Sequence, residues 1–177
     1  MNIVFLDIDG VLQPYDAEFI FLNLDRSTID KLSLKYGVDY SKYSFYDVAA
    51  VYYDWDEQAV SRLRYILNET NSKIITSSDW RNAKDLYKIR DLLKIYELDN
   101  YWLDDNIILK YELGDTFPLI RAREIKHSID KYNLDNFVIL DDMKELSDYY
   151  PDNSVITNNI ISIDNMNDCI NILKRKK

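Results

Sequence analysis

The sequence contains little glycine, proline or cysteine: three glycines, three prolines and one cysteine in 177 residues. The single cysteine, Cys169, excludes an internal disulfide framework and a multi-cysteine zinc site, and it fits a reducing compartment. Average usage would supply about a dozen glycines in a chain of this length. We therefore expect Gly10, Gly37 and Gly114 each to hold a backbone conformation that other residues avoid.

Long apolar runs are also absent, since no run approaches the roughly 18 residues that a membrane-spanning helix needs. The stretch from Met1 to Asp7 contains no basic residue, and its acid comes too early for a secretory signal peptide. We therefore expect a cytoplasmic protein that has no membrane partner.

Basic residues are outnumbered, with 22 lysines and arginines against 31 aspartates and glutamates and a net charge of −9. This balance argues against a basic face for duplex DNA or anionic lipid, because phosphate groups bind to clustered positive charge. It is compatible with a small phosphate site that a metal ion assists. With 47% hydrophobic residues the chain can bury a core, and we predict a single domain over residues 1–177.

Apolar runs alternate with stretches of helical periodicity along the chain. A continuous apolar run is typical of a strand that is buried on both faces of a parallel sheet. Such runs predict strands at residues 2–6, 72–76, 137–140 and 154–157. Apolar residues at helical spacing predict helices within residues 56–67, 86–96, 125–132 and 166–173. The alternation predicts an α/β fold with a mostly parallel sheet that helices cover on both faces.

Residues 12–54 fit this alternation poorly, and we interpret them as a small insertion that leans over the strand ends. The segment contains one predicted helix, with Ser27 as its N-cap and Gly37 as a left-handed C-cap. The expected inner face of this helix carries Ile29, Leu32 and Tyr36. Ten of the 24 aromatic residues also lie in the segment, and they are more typical of a satellite core than of a base-stacking surface.

Polar clusters follow three of the predicted strands, and the carboxyl ends of parallel strands meet at one edge of a sheet. The clusters are Asp7 with Asp9, Thr76 to Ser78, and Asp141 with Asp142. Carboxylates this close need a cation or a shared proton, and oxygen ligands of this kind favour Mg²⁺. The hydroxyl groups can donate to phosphate oxygens. Gly10 can turn the chain sharply and bring backbone N–H groups near a bound anion.

The clusters resemble the motifs of a known superfamily. Asp7-Ile8-Asp9-Gly10-Val11 resembles the first motif of the haloacid dehalogenase (HAD) superfamily, whose phosphatases show D-x-D-G-T/V. The second motif is similar to Thr76-Ser77-Ser78, and the acidic fourth motif is similar to Asp141-Asp142. The third motif is a lone Lys or Arg upstream of the fourth, and Arg121 is our choice for it. The S-S-x-W-R and R-x-x-E-I patterns resemble those of HAD domains associated with RNA repair.

The resemblance implies a Rossmann-like three-layer α/β/α sandwich with a small cap, supplied here by residues 12–54. It also implies a Mg²⁺-dependent phosphomonoester hydrolase that acts through an aspartyl-phosphate. Asp7 would be the nucleophile, and Asp9 would be the general acid and then the general base. The groups that bind the substrate phosphate would be Ser77, Arg121 and Gly10. The Mg²⁺ ligands would be Asp7, Asp9 through its carbonyl, Asp141 and Asp142.

Several alternatives stay open beside this assignment. They are Arg123 or Lys126 for the third-motif cation, Thr76 or Ser78 for the hydroxyl, and Asp141 or Asp142 as the direct metal ligand. A receiver domain of two-component signalling uses similar residues, but its acidic pair comes early in the chain and its lysine late. A catalytically silent HAD fold that serves as a binding module is a second alternative.

Two substrate classes fit the motifs: a phosphorylated small molecule or nucleotide, and a polynucleotide end. The net charge disfavours the polynucleotide end, whereas a stripe of basic residues near the site would favour it. The basic candidates are scattered, and they are Arg62, Arg64, Arg81 and Lys84. The acidic pair Asp104-Asp105 does not follow a pure β-branched run, and we interpret it as a solvated turn. The sequence sets no expectation for the oligomeric state.

Overall fold

Four parallel β-strands form the centre of the structure, a computed structural model that describes residues 1–17, 24–83, 86–103, 109–110 and 112–175. The strands are β1 (Asn2–Leu6), β2 (Ser72–Thr76), β3 (Asn136–Asp141) and β4 (Ser154–Ile156). Their order in the sheet is β2-β1-β3-β4, and each neighbouring pair is parallel. The predicted strands agree with these bounds to within one residue, because strands buried on both faces are continuous apolar runs.

Helices connect and cover the strands. They are α1 (Arg26–Tyr36), α2 (Phe45–Ala49), α3 (Glu57–Thr70), α4 (Trp80–Ala83), α5 (Leu86–Leu93), α6 (Phe117–Tyr132), α7 (Leu146–Tyr149) and α8 (Ile163–Leu173). Single 3-10 turns lie at Tyr40–Lys42 and Lys94–Tyr96, and a π-helical turn lies at Ala50–Asp54. Among the described helices, none combines the length and the apolar character that a membrane span requires.

Alternate residues of the strands point to opposite faces of the sheet, where two apolar clusters form. Val4 and Leu6 of β1 belong to one cluster, which side chains from α1, α2, α3, α5 and α8 complete. Ile3 and Phe5 belong to the other cluster, together with side chains from α6 and α7. Each fully buried side chain of this size contributes about 1.5–3 kcal/mol to stability. The two clusters confirm the predicted three-layer α/β/α arrangement around a parallel sheet.

The described part of residues 12–54 contains α1 and α2, and the N-cap of α1 differs from the prediction. The Asp25 carboxylate accepts the Thr28 N–H at 2.7 Å and the Ser27 hydroxyl at 2.9 Å. The prediction of Ser27 as the N-cap was therefore wrong, because the helix begins at Arg26 and the carboxylate takes the capping bond. Gly37 ends α1 with a φ of 67°, which confirms the predicted left-handed C-cap.

The aromatic side chains of this segment divide between the core and the surface. Tyr40 is fully buried and belongs to the same apolar cluster as one face of the sheet. The expectation of a separate satellite core was therefore wrong, since the segment extends the main core. The exposed aromatic side chains among its described residues are those of Tyr15, Phe45, Tyr46 and Tyr52. Phe19 and Phe21, together with Lys84 and the Asp104-Asp105 pair, lie outside the described residues.

Candidate active site

Backbone hydrogen bonds align the residues that follow the central strands at one edge of the sheet. The Asp7 N–H donates to the Leu140 carbonyl at 3.0 Å, and the Ser77 N–H donates to the Leu6 carbonyl at 2.8 Å. These bonds extend the parallel ladder by one residue beyond β1 and β2. Asp7, Ser77 and Asp141 are therefore brought together as the sequence predicted.

Asp7, Asp141 and Asp142 form a group of three carboxylates, one oxygen of each lying within 4.8 Å of the other two. Asp7 and Asp141 are buried. Burial, reinforced by the negative charge of Asp7, raises the pKa of Asp141 to about 6 and the pKa of Asp142 to about 6. A bound cation would relieve this repulsion, and carboxylate oxygens are ligands that suit Mg²⁺. The three residues therefore fit the predicted metal.

Arg121 lies against this group from helix α6. Its Nη1 lies 2.8 Å from the Oδ2 atom of Asp7 and 2.8 Å from the Oδ2 atom of Asp141. Its Nη2 lies 3.3 Å from the Oδ2 atom of Asp79. Burial opposes the positive charge, but the carboxylates of Asp7 and Asp141 raise the pKa of Arg121, so the guanidinium stays charged.

The other two candidates for the third-motif cation lie on the same helix and bind other acids. Arg123 pairs with Asp115 at 3.0 Å. Lys126 donates to Asp130 at 2.6 Å, and its side chain is exposed. The helical turn of about 100° per residue explains the difference, because it directs Arg121 to the strand ends and the other two away from them.

Ser77 and Ser78 differ in what their hydroxyl groups bind. The Ser77 Oγ is buried and has no hydrogen-bond partner within the described part of the chain. The Ser78 Oγ accepts the Trp80 N–H at 3.4 Å, at the start of α4. An unpaired buried hydroxyl costs about 1–3 kcal/mol, which a ligand oxygen would offset. This contrast favours Ser77 as the hydroxyl that a phosphate would contact.

Asp9 and Gly10 lie in the turn that follows β1. Gly10 has a φ of +72°, and a Cβ atom there would lie 2.5 Å from the Tyr15 hydroxyl oxygen. The turn therefore needs glycine, as we expected from its scarcity. The Asp9 carboxylate accepts the indole N–H of Trp80 at 3.0 Å. It lies outside the group of three carboxylates.

A cavity of about 180 Å³ opens onto these side chains. It is lined by Asp7, Asp9, Asp79, Phe117, Arg121, Asp142 and Met143. Drug-sized ligands occupy clefts of about 300–1,000 Å³. The cavity therefore suits a small group such as a phosphate, with the remainder of a substrate outside it.

A buried ion pair behind the site was missed by sequence reasoning. The Arg81 Nη2 lies 2.6 Å from the Glu124 Oε2, and both side chains are buried. Arg81 also donates through Nε to the Ser78 carbonyl at 2.9 Å, so the pair connects the loop after β2 to the helix that carries Arg121. Arg81 belongs to the S-S-x-W-R pattern and Glu124 to the R-x-x-E-I pattern. No sequence signal pairs these two residues, which lie 43 positions apart.

The scattered arginines do not form a basic stripe. Arg62 donates to the Ile161 carbonyl at 2.6 Å, and Arg64 donates to the Tyr96 carbonyl. Arg81 pairs with Glu124. Arg62, Arg64 and Arg81 therefore each have a structural partner.

The fold and the strand-end motifs define a HAD-type domain. Residues 3–165 match the family described as the HAD domain in Swiss Army Knife RNA repair proteins. The match covers most of the chain, and the chain belongs to this family, which confirms the HAD resemblance against the receiver-domain alternative. Membership indicates hydrolase or phosphatase activity. Searches of curated proteins and of solved structures found no significant match.

Proposed function

We propose that this protein is a Mg²⁺-dependent phosphomonoester hydrolase that acts through an aspartyl-phosphate on Asp7. The observation that carries the proposal is the placement of Asp7 within 4.8 Å of two further carboxylates and 2.8 Å from the Arg121 guanidinium. A carboxylate in such surroundings is a nucleophile whose charge is held in place. We also propose a single domain, with residues 12–54 as a small cap, and a cytoplasmic location.

Asp7, Asp141 and Asp142 would hold the Mg²⁺ ion, together with the backbone carbonyl of Asp9. When bound, the ion would supply positive charge that offsets the repulsion between Asp7 and an anionic phosphate. An oxygen of Asp7 then forms a bond to phosphorus as the bond to the leaving oxygen breaks. The backbone N–H of Ile8 donates to the Asp7 Oδ1 at 2.8 Å, which fixes the orientation of the carboxylate.

Asp9 would move the protons in both steps. In the first step its carboxyl group gives a proton to the leaving oxygen of the ester. In the second step the carboxylate takes a proton from a water molecule that attacks the phosphoryl group on Asp7. This step releases inorganic phosphate and restores both side chains. The indole N–H of Trp80 would hold Asp9 in position between the two steps.

Arg121, Ser77 and Gly10 would bind the oxygens of the phosphoryl group. The buried guanidinium is held in place before the substrate arrives, and charge that is already oriented stabilises a transition state without further rearrangement. The unpaired Ser77 hydroxyl would add one hydrogen bond. The Gly10 N–H donates to the Gln13 carbonyl at 2.7 Å, so a phosphoryl oxygen would have to displace that bond to bind at this turn.

The family favours a phosphorylated RNA end as the substrate, because it is a family of HAD domains in RNA repair proteins. A cavity with room for little more than a phosphate supports this choice, since the rest of a long substrate would stay outside. The second candidate is a phosphorylated small molecule or nucleotide, which the net charge of −9 favours. A catalytically silent binding module remains the non-enzymatic alternative.

The test is hydrolysis of p-nitrophenyl phosphate with and without Mg²⁺, by the wild type and by Asp7→Asn. We expect Mg²⁺-dependent turnover by the wild type and a loss of at least about 10³-fold in the variant. Equal rates in the two proteins would exclude Asp7 as the nucleophile. Asp135→Asn is the matched control, because it removes the same charge one residue before β3, at the opposite end of the strands from Asp7.

A second assay separates the substrate classes. RNA oligonucleotides with a 5′- or a 3′-phosphate are compared with nucleoside monophosphates and sugar phosphates at equal concentration. We expect the highest kcat/KM for one of the RNA ends. A higher kcat/KM for a small phosphate ester would favour the second candidate, and no Mg²⁺-dependent turnover of any ester would favour the binding module.

A further inference from the structure

We propose that Asp79 competes with the phosphoryl group of the substrate for Arg121, and thereby sets the affinity of the site for phosphate. The inference rests on the proposed function, since it takes Arg121 to be a phosphate-binding cation. Asp79 lies in the loop after β2, between the hydroxyl residues and helix α4. The motif patterns assign it no role.

The three carboxylates around Arg121 differ in distance and exposure. Asp7 and Asp141 each lie 2.8 Å from Nη1, and their side chains are 6% and 0% exposed. Asp79 lies 3.3 Å from Nη2, and its side chain is 46% exposed. The contact with Asp79 is therefore the longest of the three, and it joins Arg121 to the carboxylate that solvent reaches most easily.

The donor groups of Arg121 show where an incoming anion can bind. A guanidinium has five N–H donors, and two of them are on Nη1. The Nη1 atom serves the two buried carboxylates. The Nη2 atom serves Asp79, and both residues line the cavity. The Nε atom has no partner among the described residues, but it is buried. An anion that enters the cavity therefore first reaches Arg121 at the nitrogen that Asp79 contacts.

A phosphate and a carboxylate present similar oxygen acceptors to a guanidinium, so they compete for the same donors. Asp79 is not a member of the group of three carboxylates that could hold a metal. It therefore stays in competition with phosphate when that group binds a cation. It also adds a negative charge to a cavity that Asp7, Asp9 and Asp142 already line, which disfavours a second anion.

Exchange of Asp79 with phosphate has a consequence for turnover. When the phosphoryl group binds, Asp79 leaves Nη2 and turns to solvent. When inorganic phosphate has formed, the return of Asp79 to Arg121 helps to expel it. We therefore infer that Asp79 weakens product inhibition at the cost of weaker substrate binding.

The test is the binding of inorganic phosphate in the presence of Mg²⁺, measured by isothermal titration calorimetry. The proteins are the wild type, Asp79→Asn, Asp79→Ala and the charge control Asp135→Asn. We expect both Asp79 variants to lower the Kd for phosphate by roughly three- to tenfold, and the control to leave it unchanged. Turnover should show a matching fall in the KM for p-nitrophenyl phosphate and in the inhibition constant for phosphate.

Arg121→Met tests whether the effect passes through the guanidinium. Adding Asp79→Asn to Arg121→Met should lower the Kd for phosphate by a smaller factor than adding it to the wild type, because only the effect of the negative charge in the cavity remains. Equal or weaker phosphate binding by the Asp79 variants would overturn the inference. So would the same gain in Asp135→Asn, since that result would reflect net charge alone.

The binding measurement is independent of turnover, so the two proposals can fail separately. Phosphate binding that tightens in the Asp79 variants, without hydrolysis of any ester, would contradict the proposed function and leave the competition standing. Hydrolysis that depends on Asp7, with unchanged phosphate affinity in the Asp79 variants, would overturn the competition alone. Melting curves of each variant establish that it is folded.

Discussion

Buried polar groups are satisfied differently at the strand-end site and in the tyrosine-rich segment, which we define as residues 24–54. At the strand ends, charged groups are paired with one another: Arg121 with Asp7 and Asp141. One hydroxyl there, on Ser77, is buried without a partner among the described residues. The fold holds these groups in place, and under the proposed function a bound metal ion and phosphate would complete their charge and hydrogen bonding.

In the tyrosine-rich segment, buried hydroxyl groups bind backbone carbonyls. The Tyr40 hydroxyl donates to the carbonyl of Asp91 at 2.6 Å, and the Tyr36 hydroxyl donates to the carbonyl of Ile95 at 2.8 Å. These two hydroxyl groups are satisfied inside the protein. The difference teaches that carboxylates clustered around a buried guanidinium mark the candidate site, whereas hydroxyl groups bound to backbone carbonyls attach the segment to the core.

Arg121→Met should have the largest effect of these variants, and it acts at the strand-end site. It removes the charge that holds Asp7 and Asp141, and we expect kcat/KM for p-nitrophenyl phosphate to fall by about 10³-fold. Arg121→Lys should recover part of the loss, because it keeps the charge but not the second nitrogen. The control is Arg123→Met, which removes the same charge two residues along α6. If both methionine variants lost activity equally, the assignment of Arg121 would be wrong.

The second prediction concerns the buried ion pair between Arg81 and Glu124. It tests whether each of these buried charges depends on the other for its stability. Arg81→Met leaves the Glu124 carboxylate buried without its guanidinium, and we expect the free energy of unfolding to fall by about 3 kcal/mol. Urea denaturation measures this change. The double variant Arg81→Met with Glu124→Leu should recover most of the stability, because it removes both charges.

Lys126→Met is the control for the ion pair. Lys126 pairs with Asp130 on the exposed surface of the same helix, and pairs of that kind contribute little. Its loss should leave the urea midpoint unchanged. A double variant at Arg81 and Glu124 that was less stable than Arg81→Met alone would show that the two side chains act through packing rather than through charge.

The sequence predicted the strand-end site better than the tyrosine-rich segment. The reason is physical and lies in how the strands are buried. β1 and β2 are buried on both faces, so their sequences are continuous apolar runs that end at Asp7 and Ser77. Parallel pairing then brings the two ends together wherever the intervening chain goes. The sharp turn at Gly10 was likewise visible, because glycine is rare in this chain.

The contacts that were missed depend on distances that no spacing encodes. Asp25 and Ser27 are both suitable caps two positions apart, and only the first helical residue of α1 decides between them. The pairing of Arg81 with Glu124 joins two motifs across the sheet edge. Tyr40 lies in a single 3-10 turn, too short for a periodic pattern to show that it is buried.

Tyr40→Phe tests the tyrosine-rich segment, and we expect it to have the smallest effect of these variants. It removes only the hydroxyl that donates to the Asp91 carbonyl, so we expect the free energy of unfolding to fall by about 1 kcal/mol. Tyr52→Phe, at an exposed tyrosine of the same segment, should change nothing. Because the segment acts through the core, kcat for p-nitrophenyl phosphate should be unchanged in both variants. A tenfold fall in kcat for Tyr40→Phe, in protein that still melts cooperatively, would mean that the segment takes part in the chemistry and that the division between the two regions is wrong.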